Sequence, residues 1–222
     1  VTLTLSAMGF ALQQRRSNEA VRLEAIARLK LEQIEEWLND RVHDGSMAFY
    51  GPLLEDAYER WRRNGDLVSR DLLLQHLALI GNRGGFEGAM LLDPKGQILW
   101  QSSGSQRVPE PAQGEARRKA AQATGASRLK PYVGDSGQVW LEVVVPFRSG
   151  ASVILRSQPV SHLPPSLLAW PVPSLTGEFV LGQLHGQHLL VLNSLRRRAW
   201  RGAIPLADPD VLIGRLFRGQ EA

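Results

Sequence analysis

Cysteine does not occur in this chain, and that single absence removes disulfides, thiolate metal sites and cysteine nucleophiles together. It leaves the compartment open, because an oxidising periplasm and a reducing cytosol both tolerate a cysteine-free protein. A dominant charge is lacking as well. The 26 Lys and Arg against 22 Asp and Glu leave a net +4, too mild an excess to argue for nucleic acid. The basic residues do cluster, at Arg60/Arg62/Arg63, Arg117/Arg118/Lys119 and Arg196/Arg197/Arg198/Arg201. No aromatic-rich RNA-binding signature accompanies them, so they read as solvated faces and no nucleic-acid partner is expected.

Motifs that carry chemistry are equally scarce. There is no Walker loop, no GxGxxG and no HExxH. His185 and His188 flank a turn with no carboxylate cluster beside them, and His43, His76 and His162 are scattered, so neither a metal site nor a cofactor is expected. Gly134-Asp135-Ser136-Gly137 reproduces the nucleophile tetrapeptide of trypsin-like proteases. That chemistry needs a His base, a buried Asp and an oxyanion hole held by two β-barrels, and the barrels are absent from the pattern. The tetrapeptide also makes a good hairpin turn, which is how we read it. Asp93-Pro94-Lys95-Gly96 suits a type I turn for the same kind of reason. No acid, base and nucleophile assemble, so no catalytic residue is expected and the chain reads as non-enzymatic.

A long hydrophobic run is the last thing missing. Val1 to Leu12 is nearly all apolar or small until Gln13, Gln14, Arg15 and Arg16 break it, well short of the roughly 20 residues that span a bilayer. It also lacks the basic start of a signal peptide. It reads as the outer end of a transmembrane helix, the alternative being a helix that buries Leu3, Leu5, Phe10 and Leu12 on its own domain or on a dimer partner.

What the chain does have is an ordinary globular composition, 43% hydrophobic and 22% charged over 222 residues, enough for two small modules. From Ser17 to Val42 the positions Leu23, Ala27, Leu31, Ile34, Leu38 and Val42 form one helical stripe. With the N-terminal segment this predicts a helix of about 40 residues, longer than a typical globular helix, broken at Asp44-Gly45-Ser46. Pro52 opens a second helix closed by Asn64-Gly65, and Ser69 or Asp71 caps a third that ends near Gly81. Strands are expected over Phe86 to Asp93, Gln97 to Ser102, Arg128 to Val133, Gln138 to Phe147 and Ala151 to Arg156, with a short helix over Pro111 to Ala123 between the second and third. Beyond Pro159, Pro164, Pro165, Pro171 and Pro173, Glu178 to Leu184 and Gln187 to Asn193 predict a second hairpin about His185-Gly186, followed by a helix over Asp208 to Phe217.

Two strands, a helix and three strands are the layout of a PAS-like sensor core. The phrase WPVPSLTGEFVLGQLHGQHLLVLNSLRRR is similar to the membrane-proximal segment of such sensors. Together they resemble the extracytoplasmic double-Cache (tandem PAS-like) sensor region of bacterial histidine kinases and diguanylate cyclases. The resemblance implies an α+β fold: a long N-terminal helix over 1–48, a membrane-distal Cache/PAS-like antiparallel-sheet domain over 49–158, and a smaller, truncated membrane-proximal module over 159–222. The family pattern continues with three further strands, so the second module is expected to lean on the first, on the long helix or on another copy.

The resemblance also implies a function: a periplasmic sensor, anchored to the inner membrane in the full-length protein, that binds a small molecule and signals across the membrane, with a homodimer through the N-terminal helix. The alternative is a structural or dimerisation module with no ligand of its own. A PAS-like core makes its pocket against one sheet face. The candidate lining residues are Trp100 and Ser102 on the second strand, Arg128 and Tyr132 on the third, and Trp140 and Glu142 on the fourth, and strand parity alone does not choose the face. The Tyr, Arg-x-Trp and Asp pattern of amino-acid-binding Cache members is not matched.

Overall fold

A computed structural model describes residues 2–48, 52–80, 85–102, 125–128, 131–134, 137–169, 179–193 and 202–207, with side chains from residue 18 onward. Helix α1 runs over Thr2–Ala48, through the expected break at Gly45. The reason is packing. A Cβ at Gly45 would stand 3.1 Å from Val143 Cγ1 and 3.3 Å from Leu155 Cδ1, so the glycine brings the helix backbone against the sheet. Burial there outweighs the roughly 1 kcal/mol that glycine costs a helix.

Helix α2 spans Pro52–Asn64 and stops as expected at Gly65, whose φ of 71° lets its N–H return to the Trp61 carbonyl at 2.9 Å. Helix α3 spans Leu67–Ile80. Its cap is Asp66, not Ser69 or Asp71: Asp66 Oδ1 accepts the N–H groups of Val68 and Ser69 at 3.0 and 3.3 Å, and the Ser69 hydroxyl donates to Oδ2 at 2.6 Å. Asp66 directly follows the helix-ending glycine, so the earlier carboxylate takes the cap and Ser69 supports it from the first turn.

The strands are β1 Gly88–Leu92, β2 Ile98–Gln101, β3 Ser127–Arg128, β4 Tyr132–Val133, β5 Val139–Pro146 and β6 Ser152–Ser157. They form one six-stranded sheet in the order β2-β1-β6-β5-β3, with β4 also on β5, and every pairing is antiparallel. The fold is α+β, a long N-terminal helix followed by an antiparallel sheet, as a PAS-like core requires. The single strand expected over Arg128 to Val133 is two short pieces that pair with different parts of β5. The helix expected over Pro111 to Ala123 lies outside the described residues.

The Asp93–Gly96 turn forms where expected. Asp93 accepts the Gly96 N–H at 2.8 Å through its carbonyl, and those of Lys95 and Gln97 at 2.9 and 2.8 Å through Oδ1. Around the protease-like tetrapeptide, the Gly134 N–H meets the Gln138 carbonyl at 2.8 Å and the Gly137 N–H meets the Gly134 carbonyl at 2.9 Å. Asp135 and Ser136 themselves lie outside the described residues.

One face of the sheet packs on α2 and α3 through Leu54, Tyr58, Leu73 and Leu77 against Ala89, Leu91, Val143, Val145, Val153 and Leu155. The expected stripe of α1 divides. Ile34 is buried and Leu38 and Val42 are half-buried, but Leu23 and Leu31 are 47% and 53% exposed. The C-terminal half meets β5, and buries Trp37, which the stripe did not include, against Leu141 and Leu163.

After the short helices α4 Pro159–His162 and α5 Pro165–Leu168 comes a second antiparallel sheet, β7 Gly182–His185, β8 His188–Val191 and β9 Gly202–Pro205. It has three strands where the sequence predicted two. β9 is a four-residue edge strand ending in proline, a place where the missing N–H is tolerated and the usual strand signal is weak. Gly186, with φ 58°, turns the β7–β8 hairpin in the manner of a type II′ turn. The sheet leans on the first through Leu190 and Leu192 against Val139 and Val133. The helix expected over Asp208 to Phe217 lies outside the described residues, and no described helix is long and apolar enough to cross a membrane.

Candidate functional site

Side chains alternate across a strand, so the sheet face turned away from α2 and α3 carries Met90 and Leu92 of β1, Trp140, Glu142 and Val144 of β5, and Ile154 and Arg156 of β6. The antiparallel register sets Glu142 directly opposite Arg156 and Tyr132 opposite Trp140. Four residues capable of polar contacts thus interrupt an apolar surface of Met90, Leu92, Val144 and Ile154.

Glu142 and Arg156 are 0% and 1% exposed. Glu142 Oε1 accepts both the Arg156 Nε–H at 2.9 Å and the Tyr132 hydroxyl at 2.6 Å. The guanidinium lies 5.1 Å from the Trp140 ring centroid and reaches the Met90 sulfur at 3.9 Å. Glu142 Oε2 and Trp140 Nε1 are buried without a hydrogen-bond partner. A buried group left in that state costs about 1–3 kcal/mol, more when charged.

The electrostatics follow from burial. Desolvation pushes the Glu142 carboxyl above the usual carboxylate range, and the Arg156 charge with the Tyr132 and Arg156 hydrogen bonds pulls it back only in part. Burial likewise raises the Tyr132 phenol, reinforced by the adjacent Glu142 and opposed by Arg156. Tyr132 is therefore a donor here, and Glu142 Oε1 its acceptor. The remaining oxygen accepts when ionised and donates when protonated. The arrangement presents a carboxyl oxygen and an indole N–H on an otherwise apolar wall.

Of the residues expected to line a pocket, the structure brings Tyr132, Trp140 and Glu142 together. Trp100 pairs with Leu91 and packs half-buried on the helix-side core. Ser102 is buried, its Oγ accepting the Ala89 N–H at 3.0 Å while its own N–H donates to the Ala89 carbonyl at 2.9 Å, which extends the β1–β2 ladder. Arg128 is exposed and sits opposite Val143. Sequence reasoning missed Arg156 and Met90. The signal was there: Glu142 and Arg156 are the only charges in two neighbouring apolar runs, VWLEVVV and ASVILR, and a lone buried charge demands its opposite.

No protein-family model matches the chain. No curated protein is significantly similar to it. Among solved structures, the ligand-binding domain of the Pseudomonas fluorescens chemoreceptor CtaA, in complex with L-alanine, is similar over 60% of this chain at 15% identity and a TM-score of 0.37. The match spans 57% of that domain, a little over half its length.

Proposed function

We propose that the chain is the extracytoplasmic sensor region of a bacterial transmembrane signalling protein, on the periplasmic side of the inner membrane. We favour a histidine kinase as the output, ahead of a diguanylate cyclase. The module binds a small polar molecule on the Tyr132–Trp140–Glu142–Arg156 face and passes a change of shape along α1. The observation that carries the reading is Glu142, fully buried with one oxygen doubly hydrogen-bonded and the other unpartnered. The element order that resembles a PAS-like core supports it. A ligand shifts such a module only by binding its two arrangements with different affinity.

A thermal-shift screen of amines, amino acids and organic acids tests this. A ligand at a hundred times its Kd adds about 2.7 kcal/mol, which is about 5–10 °C in a chain of this size. Glu142→Gln and Tyr132→Phe should remove that shift. A hit that stabilises the wild type and both variants equally would place the ligand elsewhere.

A second reading, a dimerisation module, is favoured by one specific observation. Val21, Leu23, Leu29 and Leu31 of α1 are 64%, 47%, 53% and 53% exposed. Light scattering across a concentration series distinguishes it, since this reading requires a dimer with no ligand response.

A further inference from the structure

A different part of the molecule holds a groove separate from the Glu142 face. Where α1 passes the second sheet, α5 and the residues leading into β7 close an apolar groove of about 270 Å³, walled by Leu31, Ile34, Leu167, Leu168, Phe179 and Leu181. Among its described lining residues, Lys30 alone carries a charge. Three other cations of α1 pair with local carboxylates: Arg22 with Glu19, Arg28 with Glu24 and Arg41 with Asp44. Lys30 has Ile26, Ala27, Gln33 and Ile34 at the spacings where a helix pairs charges, and it makes no ion pair among the described residues. Its ammonium instead donates to the Ser166 carbonyl at 3.0 Å and stands 5.8 Å from the Phe179 ring centroid. An ammonium has three donors, and a carbonyl occupies one.

We propose that this groove binds a free medium-chain monocarboxylate, its carboxylate on Lys30 and its alkyl chain along Leu31, Ile34, Leu167 and Leu181. The charge complementarity runs one way, a cation with no carboxylate partner among the described residues beside apolar walls, and it selects an anionic amphiphile over a cationic or neutral one. The site joins α1 to the segment between the two sheets, so an occupant would stiffen a contact now made by the Lys30–Ser166 hydrogen bond and the packing of Trp37 and Leu38 with Leu163, Leu167 and Leu168.

The experiment is calorimetric titration of the full chain with octanoate, octanol and octylamine, using wild type, Lys30→Met, Lys30→Arg, Lys30→Glu and Glu142→Gln. Octanoate should bind saturably, with octanol weaker by at least about tenfold, the scale of a charge-assisted hydrogen bond. Lys30→Met, which keeps an apolar stem, should lose that advantage, Lys30→Arg should keep it, and Lys30→Glu should prefer octylamine. Circular dichroism confirms that each variant is folded. Glu142→Gln should bind octanoate as the wild type does, which separates this site from the Glu142 face. Equal binding of octanoate and octanol, unchanged octanoate binding by Lys30→Met, or loss of it in Glu142→Gln overturns the proposal. So does a dimer in light scattering that octanoate neither binds nor dissociates, because the groove would then belong to a second copy.

Discussion

On the face of the large sheet that meets α2 and α3, strands β1, β5 and β6 present Ala89, Leu91, Val143, Val145, Val153 and Leu155. On the opposite face, alternate positions of the same strands present Met90, Leu92, Val144 and Ile154, interrupted by Trp140, Glu142 and Arg156. The positions that β1, β5 and β6 turn to the helices there are aliphatic, and their contribution scales with buried area. The second holds an ion pair in a setting where well-packed apolar residues are often as stabilising or better. Stability alone therefore does not account for Glu142 and Arg156, which is the gap the proposed recognition role would fill.

The largest effect should come from breaking that pair. Glu142→Ala removes the carboxylate shared by Arg156 and Tyr132 and should cost about 3–5 kcal/mol in urea denaturation, the usual penalty for losing one partner of a buried pair. Replacing both, as Glu142→Leu with Arg156→Met, should be close to neutral or stabilising. If the double variant loses as much as the single, the pair is structural and the contrast between the faces collapses. On the helix side no such rescue exists. Leu155→Ala should cost about 2–5 kcal/mol through lost transfer energy and the cavity left behind.

A smaller contrast lies along α1. Ile34 is 7% exposed and Leu31 53%, so Ile34→Asp should cost more than about 2 kcal/mol, while Leu31→Asp should cost well under about 1 kcal/mol in the monomer. Equal losses at both positions, together with a concentration-dependent midpoint, would show the outer half of the stripe buried against a second copy.

The periodicity that predicted α1 was sound because a 3.6-residue repeat reports which face is apolar, and the structure keeps every stripe position on one helix. It does not report where the neighbour ends, which is why Leu23 and Leu31 are exposed and Ile34 is not. Likewise the alternation in β5 gave the strand but not the side. Only the register, with Leu91 opposite Trp100 and Trp140 opposite Tyr132, separates Trp100 from the Glu142 cluster. Composition carries no information on close approach, so Gly45 reads as a stop, and the contact with Val143 appears only once helix and sheet meet. β9 was missed because four residues containing Gly and Pro resemble a turn more than an edge strand. The site was legible as far as polar and aromatic residues on the second to fourth strands mark a pocket, which includes Glu142 and passes over Arg156 on the fifth.

The smallest effect concerns pH, and here the two sides of the sheet titrate in opposite directions. Asp66, capping α3 on the helix side, is held below its ordinary range by the Ser69 hydroxyl first and then by the Ser69 backbone N–H. Its unfolded form binds a proton before the folded form does, so the stability it contributes is present above the unfolded pKa and lost as pH falls through the folded value. Glu142 is raised by burial, so the folded form binds the proton first. Its contribution is complete below the unfolded pKa and is lost as pH rises through the folded one. Between about pH 6 and about pH 3, spanning the ordinary carboxylate range, the wild type should lose ground against Asp66→Asn, which keeps a capping oxygen without a titrating group. Over the same interval it should gain ground against Glu142→Gln. Denaturant midpoints for the three chains at several pH values measure both slopes. Slopes of the same sign would mean that Glu142 sits in a wetter setting than its zero exposure indicates, and the claim of a buried recognition carboxyl would fall with it.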